Sequence, residues 1–315
     1  TAVGESALAA NTTGANNQAF GRGALTANTT GGQNIAIGRL SLGANTSGPS
    51  NTSVGHTALT ANTTGGYNTA VGQQALTANT TASNNTAVGM QALPSNTTCA
   101  YNTAVGGQDA TTYPVLYANT TGSYNVAVGR QALQANTTAA YNTAVGYQAL
   151  FSNTTNNNSA FGYKALYANT IGTLNSAFGY KALYNANGNF TYLPTVGSSA
   201  FGYLALQQNI TGLSNSAFGF GALRNNTFGN YNSAFGQFAL YSNTTGIRNN
   251  AFGVSALQSN VSGNYNTALG RSSLLNNTAS NNTATGYQAL YGNTTGANVH
   301  TGLYRDATSK QYYLF

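Results

Sequence analysis

A five-residue phrase, Asn-Thr-Ala-Val-Gly, returns along almost the whole chain and constrains its fold more than any other feature. It stands at Asn68 to Gly72, Asn102 to Gly106 and Asn142 to Gly146, and with Ser and Phe exchanged in at Asn175 to Gly179 and Asn232 to Gly236. Counting from glycine to glycine (Gly4, Gly21, Gly38, Gly55, Gly72, Gly89, Gly106) gives a period of about 17 residues. That is too short for helix-pair repeats or propeller blades. It suits an all-β, parallel β-solenoid or β-roll with one coil per repeat, an elongated rod on the order of 80 Å long if each coil rises about 4.8 Å.

The length alone would allow two ordinary domains, but an uninterrupted repeat is expected to form one array over 1–302. Two insertions of about six residues, near 109–117 and near 185–196, each carry a proline (Pro114, Pro194). They read as loops on one side of the coil, either functional or neutral bulges. After Gly302 the repeat fails, and 303–315 alternates apolar and polar residues like a hairpin strand, as a cap or the start of another module.

Within each coil, Ala falls two residues before the glycine, and Val or Phe falls one before it. Neighbours on a strand face opposite ways. Ala144 therefore lines a thin interior and Val145 lies on the other face. The large residues form a stripe through Val71, Val105, Val145, Phe161, Phe178, Phe201, Phe218, Phe235 and Phe252, more apolar surface than a soluble monomer ordinarily exposes. Self-association is the simplest way to cover it. An Ala-Leu pair three and four residues after the glycine (Ala75-Leu76, Ala149-Leu150) reads as a second strand with Leu as core filler, followed by a turn such as Ala61 to Gly65. These fixed apolar positions argue against disorder despite a charged content of only 4%.

The spaced pattern in Ser159-Ala160-Phe161-Gly162 and Thr69-Ala70-Val71-Gly72 resembles the head repeats of trimeric autotransporter adhesins, and is similar to repeats of phage tail-fibre-like proteins. The resemblance covers Thr1 to about Gly302. It implies a left-handed parallel β-roll in which three chains wrap together and the large residue before glycine faces the trimer. The coils here are longer than the usual adhesin-head repeat by about one extended turn, and no coiled-coil stalk accompanies them.

Two asparagine columns accompany the phrase. One lies four residues before the glycine (Asn34, Asn51, Asn68, Asn102), the other seven after it. Stacked amides can hydrogen-bond up and down a ladder. The second column mostly reads Asn-Thr-Thr, which also meets the N-glycosylation pattern. With its register variants it gives the candidate sites Asn11, Asn28, Asn45, Asn62, Asn79, Asn96, Asn119, Asn136, Asn153, Asn189, Asn209, Asn225, Asn243, Asn260, Asn276 and Asn293. Glycan-bearing and turn-forming roles both stand. Tyrosines form shorter columns (Tyr147, Tyr163, Tyr180, Tyr203; Tyr167, Tyr184, Tyr241, Tyr291), as cross-strand stacks or as platforms for sugar rings.

The net charge of +7 arises because the only acids are Glu5, Asp109 and Asp306. Cations come one or two at a time, without the dense patch that nucleic acid needs. Arg22 above Arg39, and Lys164 above Lys181, stack like charges as a solvated column or a contact for an anionic polysaccharide. No acid pair, His–Cys constellation, zinc set or phosphate loop can assemble from residues so far apart, so no catalytic, cofactor or metal residues are expected and the chain reads as non-enzymatic. Cys99 stands alone in a small-residue turn slot, which excludes a disulfide framework. No membrane-spanning run or signal peptide is seen, and the mid-phrase start suggests a piece of a longer precursor. The function expected is a structural repeat of an extracellular fibre or filament, a shaft or adhesive segment at a cell or virion surface. It is homo-oligomeric with a trimer favoured, or a filament, with carbohydrate as decoration or ligand; a monomeric solenoid whose Val and Phe point inward is the alternative to assembly. A phage receptor-binding shaft is the alternative, and an ice-binding solenoid using Thr63, Thr80 and Thr97 a second one.

Overall fold

The computed structural model describes residues 1–108, 113–186, 197–301, 303–305 and 312–314. It is a parallel β-solenoid with coils of about 17 residues, and no helix occurs among the described residues. Contacts divide the chain into two compact units, 1–157 and 158–315. The first holds β1 (Ala2–Val3), β2 (Gln18–Phe20), β3 (Ile35–Ile37), β4 (Thr52–Val54), β5 (Thr69–Val71), β6 (Thr86–Val88), β7 (Thr103–Val105), β8 (Val126–Val128) and β9 (Thr143–Val145). The second holds β10 (Ser159–Phe161), β11 (Ser176–Phe178), β12 (Ser199–Phe201), β13 (Ser216–Phe218), β14 (Ser233–Phe235), β15 (Asn250–Phe252), β16 (Thr267–Leu269), β17 (Thr283–Thr285) and β18 (His300–Thr301). It ends in an antiparallel pair, β19 (Leu303–Arg305) with β20 (Tyr312–Leu314), which is the hairpin expected there.

From β1 to β9 and from β10 to β18 every strand pairs in parallel with the next, equivalent residue against equivalent residue, as Ala70 against Ala87. The longer coils keep this register: Ala104 pairs with Ala127, and Ala177 with Ala200. Asp109 to Thr112, and 187–196 with Asn189 and Pro194, lie outside the described residues.

Strands β2 to β17 are only three residues long because glycine ends them. Gly72 has φ +132°, and a Cβ there would sit 2.5 Å from the carbonyl oxygen of Gly89 in the next coil, so only glycine permits the coils to stack at this point. The chain then turns. Ala75 N–H donates to Gly72 C=O (3.2 Å), and Asn79 N–H donates to Leu76 C=O (3.3 Å).

The expected second strand is absent. Leu76 takes φ +52°, as its equivalents Leu59 and Leu93 do, and a left-handed residue cannot continue a strand. That conformation costs roughly 1–2 kcal/mol for a residue with a Cβ. Complete burial of the leucine, worth about 2 kcal/mol, offsets it. The bend also aims both Ala75 and Leu76 inward, which strand alternation would forbid.

A coil thus buries two alanines, one leucine, a small turn residue and two asparagines (Ala70, Ala75, Leu76, Ala82, Asn68, Asn79). The amides share the interior because they are satisfied there. Asn79 Nδ2 donates to Asn62 Oδ1 of the preceding coil (2.8 Å) and to Ala82 C=O (3.0 Å), while its Oδ1 accepts from Asn96 (3.0 Å). In the other column, Asn68 Oδ1 accepts the backbone N–H of Asn85 (3.0 Å), and its Nδ2 donates to Ala82 C=O (2.8 Å).

Asn79→Asp tests this arrangement with almost no change in shape. Its carboxylate would be buried against two acceptors, so the folded-state pKa rises above the unfolded value of about 3.9. Below that value both states are protonated and the penalty is smallest. As pH rises the unfolded state alone ionises, and stability falls by up to about 1.4 kcal/mol per pH unit until the folded pKa is reached. Melting temperatures of variant and parent should diverge steadily from acid toward neutral pH; a constant gap would mean the amide is not held as described.

Candidate functional surfaces

The glycosylation expectation meets the ladder directly. Asn28, Asn45, Asn62, Asn79, Asn96, Asn119, Asn136, Asn153, Asn209, Asn243 and Asn260 are buried, most without any exposed surface. Their Nδ2 atoms donate inside the wall, as Asn136 does to Asn119 Oδ1 (2.9 Å) and Ala139 C=O (3.0 Å). Asn11 and Asn293 are half-buried, but their amides donate in the same way to Gly14 and Gly296. A glycan needs that nitrogen, so the sugar sheath expected along this column is incompatible with the fold. The physical cause is that the same Asn and Thr which suit an acceptor site also suit a turn whose amide bonds the next coil. Asn225 and Asn276 differ: their neighbours Asn226 and Asn277 occupy the ladder, leaving them half-buried beside it. Glycopeptide mass spectrometry of folded protein made through a glycosylating secretory route should find Asn136, Asn153 and Asn243 bare, with any occupancy confined to Asn225 and Asn276 among these five.

Outward residues of the strands form a second surface. In the first unit Val71, Val105 and Val145 stand half-buried outside the wall, each beside a threonine two residues earlier. On β10 to β14 of the second unit the pair is Ser with Phe, and on β15 Asn with Phe. Phe161, Phe178, Phe201, Phe218, Phe235 and Phe252 stack with centroids 4.6–4.9 Å apart and planes within 8° of parallel. They are half-buried, Phe252 more open at 40%. No Lys, Arg, Asp or Glu lies on β1 to β18.

A third surface follows the strand-ending glycine. Tyr163, Tyr180, Tyr203 and Phe220 stack 5.0–5.1 Å apart, and Tyr167 stacks on Tyr184 at 5.1 Å. Rings stacked face to face cover each other's faces, so these columns present edges outward and are poor platforms for sugar rings. Lys164 sits among them. Partial burial lowers its pKa, and the neighbouring Tyr163, Tyr184 and Tyr167 hydroxyls outweigh that effect, holding it above the ordinary lysine value. A further column, Tyr101, Tyr124 and Tyr141, with centroids 4.9 and 5.0 Å apart, was not singled out from the sequence. Its signal is a tyrosine recurring five residues before the glycine.

The threonines of the ice-binding alternative are engaged: Thr63 and Thr80 hydroxyls donate to the Thr80 and Thr97 carbonyls of the following coils (3.0 and 3.2 Å). Cys99 is buried, its thiol pushed up by desolvation and bonded by Asn119 Nδ2 (3.2 Å). Among the described residues no three of His, Cys, Asp and Glu are grouped to hold a metal ion. No family model, curated protein or solved structure matches the chain.

Proposed function

We propose that the chain is a non-enzymatic structural segment of an extracellular fibre or filament, a shaft or adhesive segment at a surface, in which the outward strand faces pack against further copies of the chain. The carrying observation is the Phe ladder that runs unbroken from β10 to β15 on a charge-free face. The core of each coil is complete without these rings, so they contribute nothing to the interior and are left with one side open. Interface cores are depleted of charge and enriched in aromatic residues. A ladder repeating about every 4.8 Å is matched best by another surface with the same repeat.

The exchange of Thr-Ala-Val for Ser-Ala-Phe points the same way. Where the large residue gains a ring, its neighbour on the same face loses a methyl, at β10, β11, β12, β13 and β14 alike. Volume compensation of this kind suits a face that is packed. A closed cyclic assembly would cover every such stripe, and the resemblance to adhesin heads favours three chains.

Sedimentation velocity tests this. The parent should run as an oligomer, with a mass near three chains if the trimer is right. Phe218→Asp places a charge in the middle of the ladder and should shift the protein to monomer, with its circular dichroism unchanged because the ring lies outside the core. A parent that sediments as a monomer at every concentration, or a variant that still sediments like an oligomeric parent, would remove the strand face as the assembly surface.

A further inference from the structure

The cations of this chain are not scattered around the coil. Counted from the strand-ending glycine, Arg22, Arg39, Arg130 and Arg271 lie one residue after it, Lys164 and Lys181 two, and Arg224 five. Among the described residues of the coils only Arg248 lies elsewhere; Arg305 belongs to β19, beyond the coils. Neither the strand face nor the Asn-Thr-Thr turn carries a lysine or arginine. A chain that needed charge merely to stay in solution would have no reason to confine it to one edge.

In the second unit this edge is also the tyrosine edge, and the two residue types are fitted together. Lys164 Nζ lies 5.4 Å from the ring centroids of both Tyr163 and Tyr167. One coil on, Lys181 Nζ lies 5.3 Å from Tyr180 and 5.5 Å from Tyr184. Each ammonium is thereby steered between two rings. Arg224 is held more firmly: its Nε donates to Gln207 Oε1 (2.9 Å) and its Nη1 to the Tyr241 hydroxyl (2.8 Å). Those bonds engage two of its five N–H groups and fix the plane of the fork. No acid occurs among the described residues of this unit. Like charges in adjacent coils repel, and a bound anion relieves that repulsion.

The ligand follows from the layout. Sites repeated along stacked coils suit an extended polymer rather than a small ion. One cation per coil, or fewer, is too sparse for a nucleic-acid backbone. Phenol hydroxyls and glutamine amides offer hydrogen bonds to a hydroxyl-rich chain, and the rings present edges rather than faces, so recognition is polar. From these observations we infer that the basic tyrosine edge of the second unit binds an acidic polysaccharide, a sugar polymer carrying carboxylate or sulfate groups. The edge is separate from the strand face, so the inference stands apart from self-association.

Affinity electrophoresis of the full chain through gels containing polygalacturonate, dextran sulfate or neutral dextran tests it. The parent should be retarded by an acidic polymer and not by dextran, less so as salt is added. Retardation by polygalacturonate alone identifies carboxylate as the group recognised, by dextran sulfate alone sulfate, and by both a shared anion site. Lys164→Gln/Lys181→Gln/Arg224→Gln should weaken binding at least about tenfold. Two single variants that remove the same charge control for bulk electrostatics and for any failure of the triple variant to fold: Arg224→Gln should weaken binding and Arg248→Gln should not. The inference is overturned if no acidic polymer retards the parent, if dextran retards it equally, or if Arg248→Gln weakens binding as much as Arg224→Gln.

Discussion

Stacking of one coil on the next through asparagine amides is the interaction on which everything else in this structure depends. A coil of about 17 residues encloses too little space for an ordinary hydrophobic core, and one leucine with two or three alanines buries only modest apolar area. The primary amide supplies what is missing. It has two donors and one strong acceptor, so it can bond its own turn and both neighbouring coils at once. Buried amides left unpaired would cost about 1–3 kcal/mol each. Satisfied in columns, they become the part of the interior that specifies register.

That constraint explains what the outer surface is free to do. Because the wall is held from within, outward positions can change in blocks without loss of fold, from valine to phenylalanine on the strands and from glutamine to lysine after the glycine. Gln91 bonds Gln74, and Gln148 bonds Gln131, at the same coil position that Lys164 and Lys181 take in the second unit. The scaffold is shared, and the chemistry is written on its edges.

Much of this was legible in the sequence. The glycine period gave the coil, the Ala-Val alternation gave the inward and outward faces, and register across Ala104 and Ala127 agrees with reading the six extra residues as an insertion. The Ala-Leu pair reads as a strand because two adjacent apolar residues recur there in most coils, although a strand would send one of them outward. Leucine is not a residue from which a left-handed conformation is expected, and only its burial explains it. The Asn-Thr-Thr column was ambiguous for a different reason: one short motif satisfies both an acceptor site and a turn. The small residue three positions later, at Gly65, Ala82 or Cys99, was the sign that the amide pointed in, since its carbonyl is what the amide bonds.

The same self-similarity carries a hazard. Where successive coils are nearly interchangeable, a folding chain can pair a coil with the wrong neighbour, loop one repeat out, and still satisfy most of its amides. Nothing in a perfectly uniform array would penalise that slip. The aromatic blocks, the cation pairs and the coils of 16 or 23 residues break the uniformity, so a slipped pairing sets phenylalanine beside valine or an ammonium away from its rings. Irregularities that look like decay of the repeat thereby act as landmarks by which the chain counts its own coils.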